Sequence, residues 1–583
     1  MDSLTPLDME KRRQLATARF VPQNRLDRQG YEHGDFWLGR TLNGRPFGWH
    51  EDLNLLTCAG PRSGKGVGTV IPNLLLFPGS AVVIDPKGEL AEQTAAFRRD
   101  VLGQRVVVLD PANVANIPDG MRGTFNPLAQ LDENDPGVVS AALSIASGIV
   151  VPNPKATDPF WDQTALSFIQ AVILYMVHFF PEEKRTLMIL RQTASLGDWD
   201  LYQSFLKQMR EGPEGDPDYE GGPGKAFDLM LQEMFSCDAF GGLLREEASK
   251  ISQMSENTRG NVLGGIRTHL DFLKDPLLWP ALQNAAGDRP SFDLADLRNQ
   301  EQFTTVYICL PVDMMYQQGR WMRLLIMQIS QYVQRTPFDK SVDRPLLMMI
   351  DEFFQLGPLP AIENMLTYAP GFGLRLWLIV QDIGQLKKNY PDTWETILGA
   401  CGIKQFFGIN DLQTAKYISE LLGEEEIDLP TVNASQTDSS TQGKSNSFAF
   451  GTSQSHTDSS SWSSTSGSSS TVGGTMGSHG GASTSTSSSS SSTSGGGSSS
   501  TFGSSVTITE GTNSSRTSGT TKGYSITKKE RRLLRPEEVM VSFTKENLTQ
   551  LLHVRDHGGM MLIRTPYYSD PDFEHLIDKA ALR

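Results

Sequence analysis

The sequence predicts an α/β protein: a parallel central sheet carrying a phosphate-binding loop, plus an inserted all-α domain and a long disordered Ser/Gly-rich loop. Three observations carry that expectation. Short apolar runs bounded by Gly, Pro or charge alternate with helical patterns, as buried parallel strands and their crossover helices do. From about Phe160 to Leu282 the strand signal gives way to helical spacing. From about Ser435 to Ser525 the chain is mostly Ser, Gly and Thr, too poor in apolar surface to offset its own conformational entropy.

Taken in chain order, Met1 to Phe20 is polar and lacks the apolar run of a secretory leader. The expected strands are Leu53 to Ala59, Ala81 to Asp85, Arg105 to Leu109, Thr304 to Leu310, Leu346 to Ile350, Leu376 to Val380 and Gln405 to Ile409. Helical spacing marks Trp161 to Phe180, Trp199 to Arg210, Lys225 to Phe235 and Thr258 to Leu273, with the Gly/Pro-rich run Glu211 to Gly224 as a break. The apolar stretch Ala165 to Phe180 is interrupted by Gln170 and His178 and is too short to span a bilayer, so it is expected as a buried helix. Beyond the Ser-rich tract, Glu530 to Met540 is charged and amphipathic, and Met560 to Tyr568 is strand-like. The tract therefore leaves and re-enters a folded domain, at little cost in loop entropy. The resulting plan is an N-terminal segment (1–52), a first nucleotide-binding part (53–155) and an all-α domain (156–285). A second nucleotide-binding part (286–434), the disordered insertion (435–526) and a C-terminal return (527–583) follow.

Composition narrows the class. A chain of 583 residues exceeds what one hydrophobic core usually organises. Cys58, Cys237, Cys309 and Cys401 each stand alone, which argues against zinc or disulfide frameworks and fits a reducing compartment. The net charge of -15 neither points to nucleic acid nor excludes it, because a ring can keep its basic groups in a pore.

The strongest motif is Ala59-Gly60-Pro61-Arg62-Ser63-Gly64-Lys65-Gly66, directly after a strand and opening a helix through Val67, Val70 and Ile71. A phosphate chain needs inward backbone N–H groups, small residues for close approach, a lysine and a helix N-terminus. All four are present. Ala59 replaces the first Gly of the usual pattern, and Gly66 replaces the hydroxyl that would ligate magnesium. The run Leu346 to Ile350 ends in Asp351 and Glu352. There Asp351 is expected to hold Mg2+ and Glu352 to act as general base in ATP hydrolysis. Gln381, closing the run Leu376 to Val380, is expected to sense the γ-phosphate; a strand-end turn residue is the alternative. Arg375, ahead of that strand, and Arg62, in the loop, are candidates for an arginine finger acting on a neighbouring subunit; an ordinary surface arginine is the other reading of each. Asp85, beside Lys87, either orients the loop or touches nucleotide, with a structural strand-end role as the other reading.

Together these residues resemble the type IV secretion coupling proteins, the VirD4/TraG family of conjugative DNA-transfer ATPases. The run from Ile350 through Asp351 and Glu352 to Pro360, followed by Arg375 to Gln381, is close to a family signature, and a glycine at the position of Gly66 is usual there. The resemblance implies a RecA-like nucleotide-binding domain, a cytoplasm-facing all-α domain and a homo-hexameric ring using ATP and Mg2+. It implies a role in passing DNA, single-stranded and with its relaxase, or secreted effector proteins to the channel components of a type IV secretion system. Family members usually begin with transmembrane helices, whereas sixteen polar residues precede the block Thr17 to Phe20 here. The expectation is a cytoplasmic protein, peripheral at the inner membrane and docked by a separate membrane anchor protein, or a truncated chain. The alternatives are a DNA-pumping motor of the FtsK/HerA type and a non-hydrolysing, nucleotide-binding substrate receptor.

Overall fold

The computed structural model describes residues 18–50, 52–151, 158–211, 216–222, 224–284, 289–441, 465–467, 491–493, 499–509 and 515–580. Two compact units emerge, one of Phe20–Ile418 with Pro536–Arg583, the other of Met1–Arg19 with Ser419–Arg535.

The larger unit is built on an eleven-stranded sheet. Its strands are β1 (Phe36–Thr41), β2 (Pro46–Trp49), β3 (Leu55–Ala59), β4 (Ala81–Ile84), β5 (Arg105–Leu109) and β6 (Thr304–Ile308). They continue with β7 (Leu346–Ile350), β8 (Leu374–Val380), β9 (Ile403–Phe407), β10 (Thr549–Val554) and β11 (Gly558–Ile563). The spatial order is β2-β1-β11-β10-β9-β3-β8-β7-β4-β6-β5. From β9 to β5 all neighbours are parallel. Strands β3, β4, β6, β7, β8 and β9 are buried along their whole length, which is why they read as unbroken apolar runs. The other four strands form an antiparallel wing on the β9 side. Sequence patterning anticipates a parallel sheet and misses most of this wing. Strands β1 and β2 carry Gly39, Arg40, Pro46 and Gly48; they pair with each other, and β1 finds its second partner more than 500 residues away, at Ile563 and Leu562.

A chain of buried polar side chains runs across the wing to the centre of the sheet. Trp377 Nε1 on β8 donates to Thr57 Oγ1 on β3 at 2.8 Å, and Thr57 donates to Gln405 Oε1 on β9 at 2.9 Å. Gln405 Nε2 donates to Gln550 Oε1 on β10 at 2.6 Å, and Gln550 donates to the Leu38 carbonyl on β1. Gly39 makes the last link: a Cβ there would lie 2.7 Å from Gln550 Nε2 and 2.5 Å from the Ile563 carbonyl. Every step is buried and paired, so the network specifies register instead of costing desolvation.

Helices of the all-α insertion begin on recognisable caps: Thr186 accepts from Ile189 N, and Ser255 accepts from Thr258 N. Helix Phe160–Phe179 is the one helix among the described residues long and apolar enough to cross a membrane, and 67% of its apolar window is buried in the protein. It is a core helix. Helix Val138–Ile149 packs on it and on helix Val312–Arg335, joining the insertion to the sheet-bearing part of the unit.

In the smaller unit, strand Glu424–Thr441 pairs antiparallel with Ser515–Arg532, whose other edge pairs with Ser499–Thr509. Much of the Ser/Gly/Thr tract lies outside the described residues. At its stem the structure differs from the expectation of an unstructured insertion from residue 435. A ladder satisfies backbone groups without needing apolar side chains, so a Ser/Gly/Thr chain can pair where a folded strand guides it.

Candidate functional site

Strands β3, β8, β7 and β4 are consecutive neighbours pointing the same way. Their C-terminal ends open on one crevice, the place where open parallel sheets bind ligands. A polar or charged residue follows each end: Lys65 in the loop after β3, Gln381 after β8, Asp351 and Glu352 after β7, and Asp85 after β4.

The loop after β3 owes its shape to a few backbone positions. Ala59 is the last residue of β3, and the turn falls to Gly60, where a Cβ would meet the Gly408 carbonyl at 2.3 Å. Arg62 and Gly64 are left-handed, at φ 56° and 84°. Pro61 and Arg62 are exposed at the apex, Ser63 is buried, and Val67 is half-buried beneath Gly64. The loop then enters a π-helical turn, Gly66–Val70, continued by helix Ile71–Leu76. The leading N–H groups of such a segment lack partners within it.

Lys65 bridges the two acids. Its Nζ lies 2.8 Å from Asp351 Oδ1 and 2.8 Å from Glu352 Oε1, while Gln381 Nε2 donates to Glu352 Oε2 at 2.9 Å. Asp351 is tied to β4 through its N–H on the Ile84 carbonyl at 3.2 Å. Glu352 sits in the left-handed region at φ 51°, ψ 45°, a turn that costs energy for a non-glycine residue and aims its carboxylate at Lys65. Gln381 is held by the next residue, since Asp382 caps helix Ile383–Asn389 by accepting from Gln385 N.

Burial alone would raise the Glu352 pKa. The Lys65 charge and hydrogen bond, the Gln381 amide and the Lys87 charge outweigh it and hold the carboxyl below its ordinary range. Burial likewise opposes the Lys65 charge, yet the two acids raise its pKa. Asp85 differs. Burial pushes it up to about 7, against the Ala91 N–H that it accepts and with help from the Asp351 charge. Its Oδ2 takes that N–H at 2.8 Å, so Asp85 satisfies one leading N–H of helix Glu89–Asp100, whose N-cap is Gly88. Lys87 is exposed.

These groups fit a magnesium nucleotide. The buried Ser63 Oγ has no partner among the described residues, the leading N–H groups of a helical turn lack partners within it, and Lys65 supplies positive charge. Gly66 provides no hydroxyl, but Mg2+ commonly binds through one or two carboxylates with phosphate and water completing its shell, a part that Asp351 can fill.

Arg375, the candidate finger for a neighbouring subunit, lies apart from its own subunit's site. It lies near the start of β8, six residues before Gln381 and so about 20 Å away along the strand. It is buried, paired with Asp52 Oδ1 at 2.9 Å and set over Phe36. Arg375→Met should lower the melting temperature by several degrees, the loss of a largely buried ion pair, with the turnover number of the folded protein unchanged. A turnover loss at unchanged stability would instead assign Arg375 the role of arginine finger. The residue that sequence reasoning overlooked is Arg564, just past β11, whose Nη1 donates to the Ser63 carbonyl at 2.5 Å. Only a lone basic residue after an apolar run could have marked it.

Residues 8–455 match the profile of the family described as Type IV secretory system Conjugative DNA transfer. The chain is 26% identical over 382 residues to the conjugal transfer protein TraG of Escherichia coli, covering 64% of this chain and 55% of that one. It is 28% identical over 397 residues to protein VirD4 of Agrobacterium fabrum, covering 66% and 52%. The chain thus spans about half the length of the curated relatives it matches. Among solved structures, the bacterial conjugative coupling protein TrwBdeltaN70 in complex with sulphate superposes with a TM-score of 0.55 at 14% identity, covering 94% of this chain and 93% of that one. Plasmid coupling protein TrwB in complex with ADP and Mg2+ gives 0.53 at 14% identity, covering 94% of each. The shared architecture is the RecA-like P-loop fold.

Proposed function

Because the chain belongs to the type IV secretory system conjugative DNA transfer family, we propose that it is an ATP-hydrolysing coupling protein. In this reading it receives a relaxase-bound DNA strand or a secreted effector protein and drives it to the secretion channel. The observation that carries the reading is the convergence of Lys65, Asp351, Glu352 and Gln381 within hydrogen-bond reach at adjacent strand ends.

Lys65 and the loop from Gly60 to Val67 bind the phosphates, and Asp351 holds Mg2+. The ion, when bound, neutralises phosphate charge. Glu352, kept ionised by Lys65 and Gln381, accepts the proton of the attacking water. Gln381 orients Glu352 and faces the terminal phosphate, while Asp85 shapes the pocket floor. Six copies form a ring at the cytoplasmic face of the inner membrane, held there by a separate anchor protein. The helical segment 156–285 faces the substrate, and the exposed Arg62 is the candidate to reach a neighbouring subunit's nucleotide.

Purified protein should release phosphate from ATP only with Mg2+, and single-stranded DNA should raise the rate. DNA binding should weaken steeply with salt, as counterion release requires. A rate indifferent to DNA but raised by a secreted protein would assign the cargo to effectors. No Mg2+-dependent phosphate release under either condition would overturn the proposal.

A further inference from the structure

Two arginines, Arg98 and Arg564, are among the largest fully buried side chains of the larger unit, and neither is paired with a carboxylate among the described residues. Arg98 spends its donors within the protein. Its Nε bonds Thr305 Oγ1 at 2.7 Å, and its terminal nitrogens bond the Leu74, Phe77 and Gly79 carbonyls. Arg564 does not. Its guanidinium lies over Phe407, 4.1 Å from the ring centre, and among the described residues only Nη1 has a hydrogen bond, to Ser63 O. Its Nε and Nη2 are buried with no partner among the described residues. An uncompensated buried cation with unmade charge-assisted bonds is costly.

Position explains why the fold keeps such a group. The Arg564 side chain runs behind the phosphate loop: a Cβ on Gly64 would lie 3.6 Å from Nη1, and one on Gly68 would lie 3.7 Å from Arg564 Cβ. In a trans peptide the C=O and the following N–H point in opposite directions. By taking the Ser63 carbonyl, Arg564 therefore turns the Gly64 N–H away from itself, toward the cradle. The residue arrives there because Arg564 N is fixed to the Leu548 carbonyl at 2.8 Å, at the base of the β10–β11 hairpin.

We propose that Arg564 is a positioning residue for nucleotide binding: it sets the Ser63–Gly64 peptide, and its buried charge finds its counter-charge in the bound phosphates across the loop. The proposal rests on reading the Lys65 loop as an ATP site. It ties the C-terminal hairpin to nucleotide occupancy.

The test compares wild type with Arg564→Met and Arg564→Lys. It measures ADP–Mg2+ affinity by calorimetry and melting temperature with and without ADP–Mg2+. Removing a buried charge that only the ligand compensates should leave nucleotide-free Arg564→Met melting at or above wild type. Its ADP–Mg2+ affinity should be on the order of tenfold weaker. Arg564→Lys, which keeps the charge, should bind within a few fold of wild type. A lower nucleotide-free melting temperature with unchanged affinity would make Arg564 merely structural and overturn the proposal. If Arg564→Met does not fold, Arg564→Gln replaces it, and Gln binding as tightly as Lys would overturn the proposal equally. Wild type that neither binds nor is stabilised by ADP–Mg2+ would instead remove the ATP reading itself, an outcome distinct from variants that bind like a responsive wild type.

Discussion

Glu352→Gln should leave ADP–Mg2+ affinity within a few fold of wild type and cut phosphate release by about 10²- to 10⁴-fold, the usual worth of a general base. The substitution is close to isosteric. It keeps the left-handed turn at residue 352 and leaves Gln381 a carbonyl oxygen to bond, since the new amide can present its oxygen where Glu352 Oε2 now accepts. What disappears is the negative charge that makes residue 352 a proton acceptor. Single-turnover phosphate release and equilibrium nucleotide binding, measured on the same preparation, separate the two effects. Equal hydrolysis by variant and wild type would show that the base lies elsewhere, and equal but absent hydrolysis would leave a receptor in place of a motor.

Lys65→Met should weaken nucleotide binding by about 10²- to 10³-fold, comparable to losing one preorganised donor aimed at developing anionic charge. The loss has a second source within the protein. In wild type the Lys65 ammonium lies between Asp351 and Glu352 at 2.8 Å from each; without it two carboxylates share a buried site, and each opposes the other's ionisation. The pH dependence of stability follows. Wild-type Glu352 has a depressed pKa, so its contribution is present above the ordinary value of 4.5 and is lost as pH falls through the lower folded value. In Lys65→Met the sign reverses for the carboxyl whose pKa rises, and stability should decline as pH climbs past that raised value. Melting curves from pH 4 to 8 on both proteins read this directly. A variant whose melting profile parallels wild type across the range would show that Lys65 does not neutralise the acids in solution.

Much of the central sheet can be read from the chain because its strands are buried on both faces, and burial leaves an unmistakable run of apolar residues. Leu346 to Ile350 is such a run, and the two acids that end it have nowhere to go but the strand's open end. Sequence distance misleads for Arg375: only six positions from Gln381, it lies near the opposite end of the same strand. Arg564 shows the converse. It reaches Ser63, 501 positions away in sequence, through a hairpin whose partners β9 and β1 are set by pairing across the whole chain, and no local pattern announces such a meeting. Most of the antiparallel wing is hard to read for a related reason: β1 and β2, broken by Gly39, Arg40, Pro46 and Gly48, acquire identity only from their neighbours.

The buried relay from Trp377 through Thr57, Gln405 and Gln550 to Leu38 has a consequence for synthesis. Thr57 stands three residues before the turn into the phosphate loop, yet its Gln405 partner is fully satisfied only once Gln550 has left the ribosome. Pairings this remote close slowly. A growing chain thus carries an unfinished relay behind the Lys65 loop until the hairpin that holds Gln550 docks.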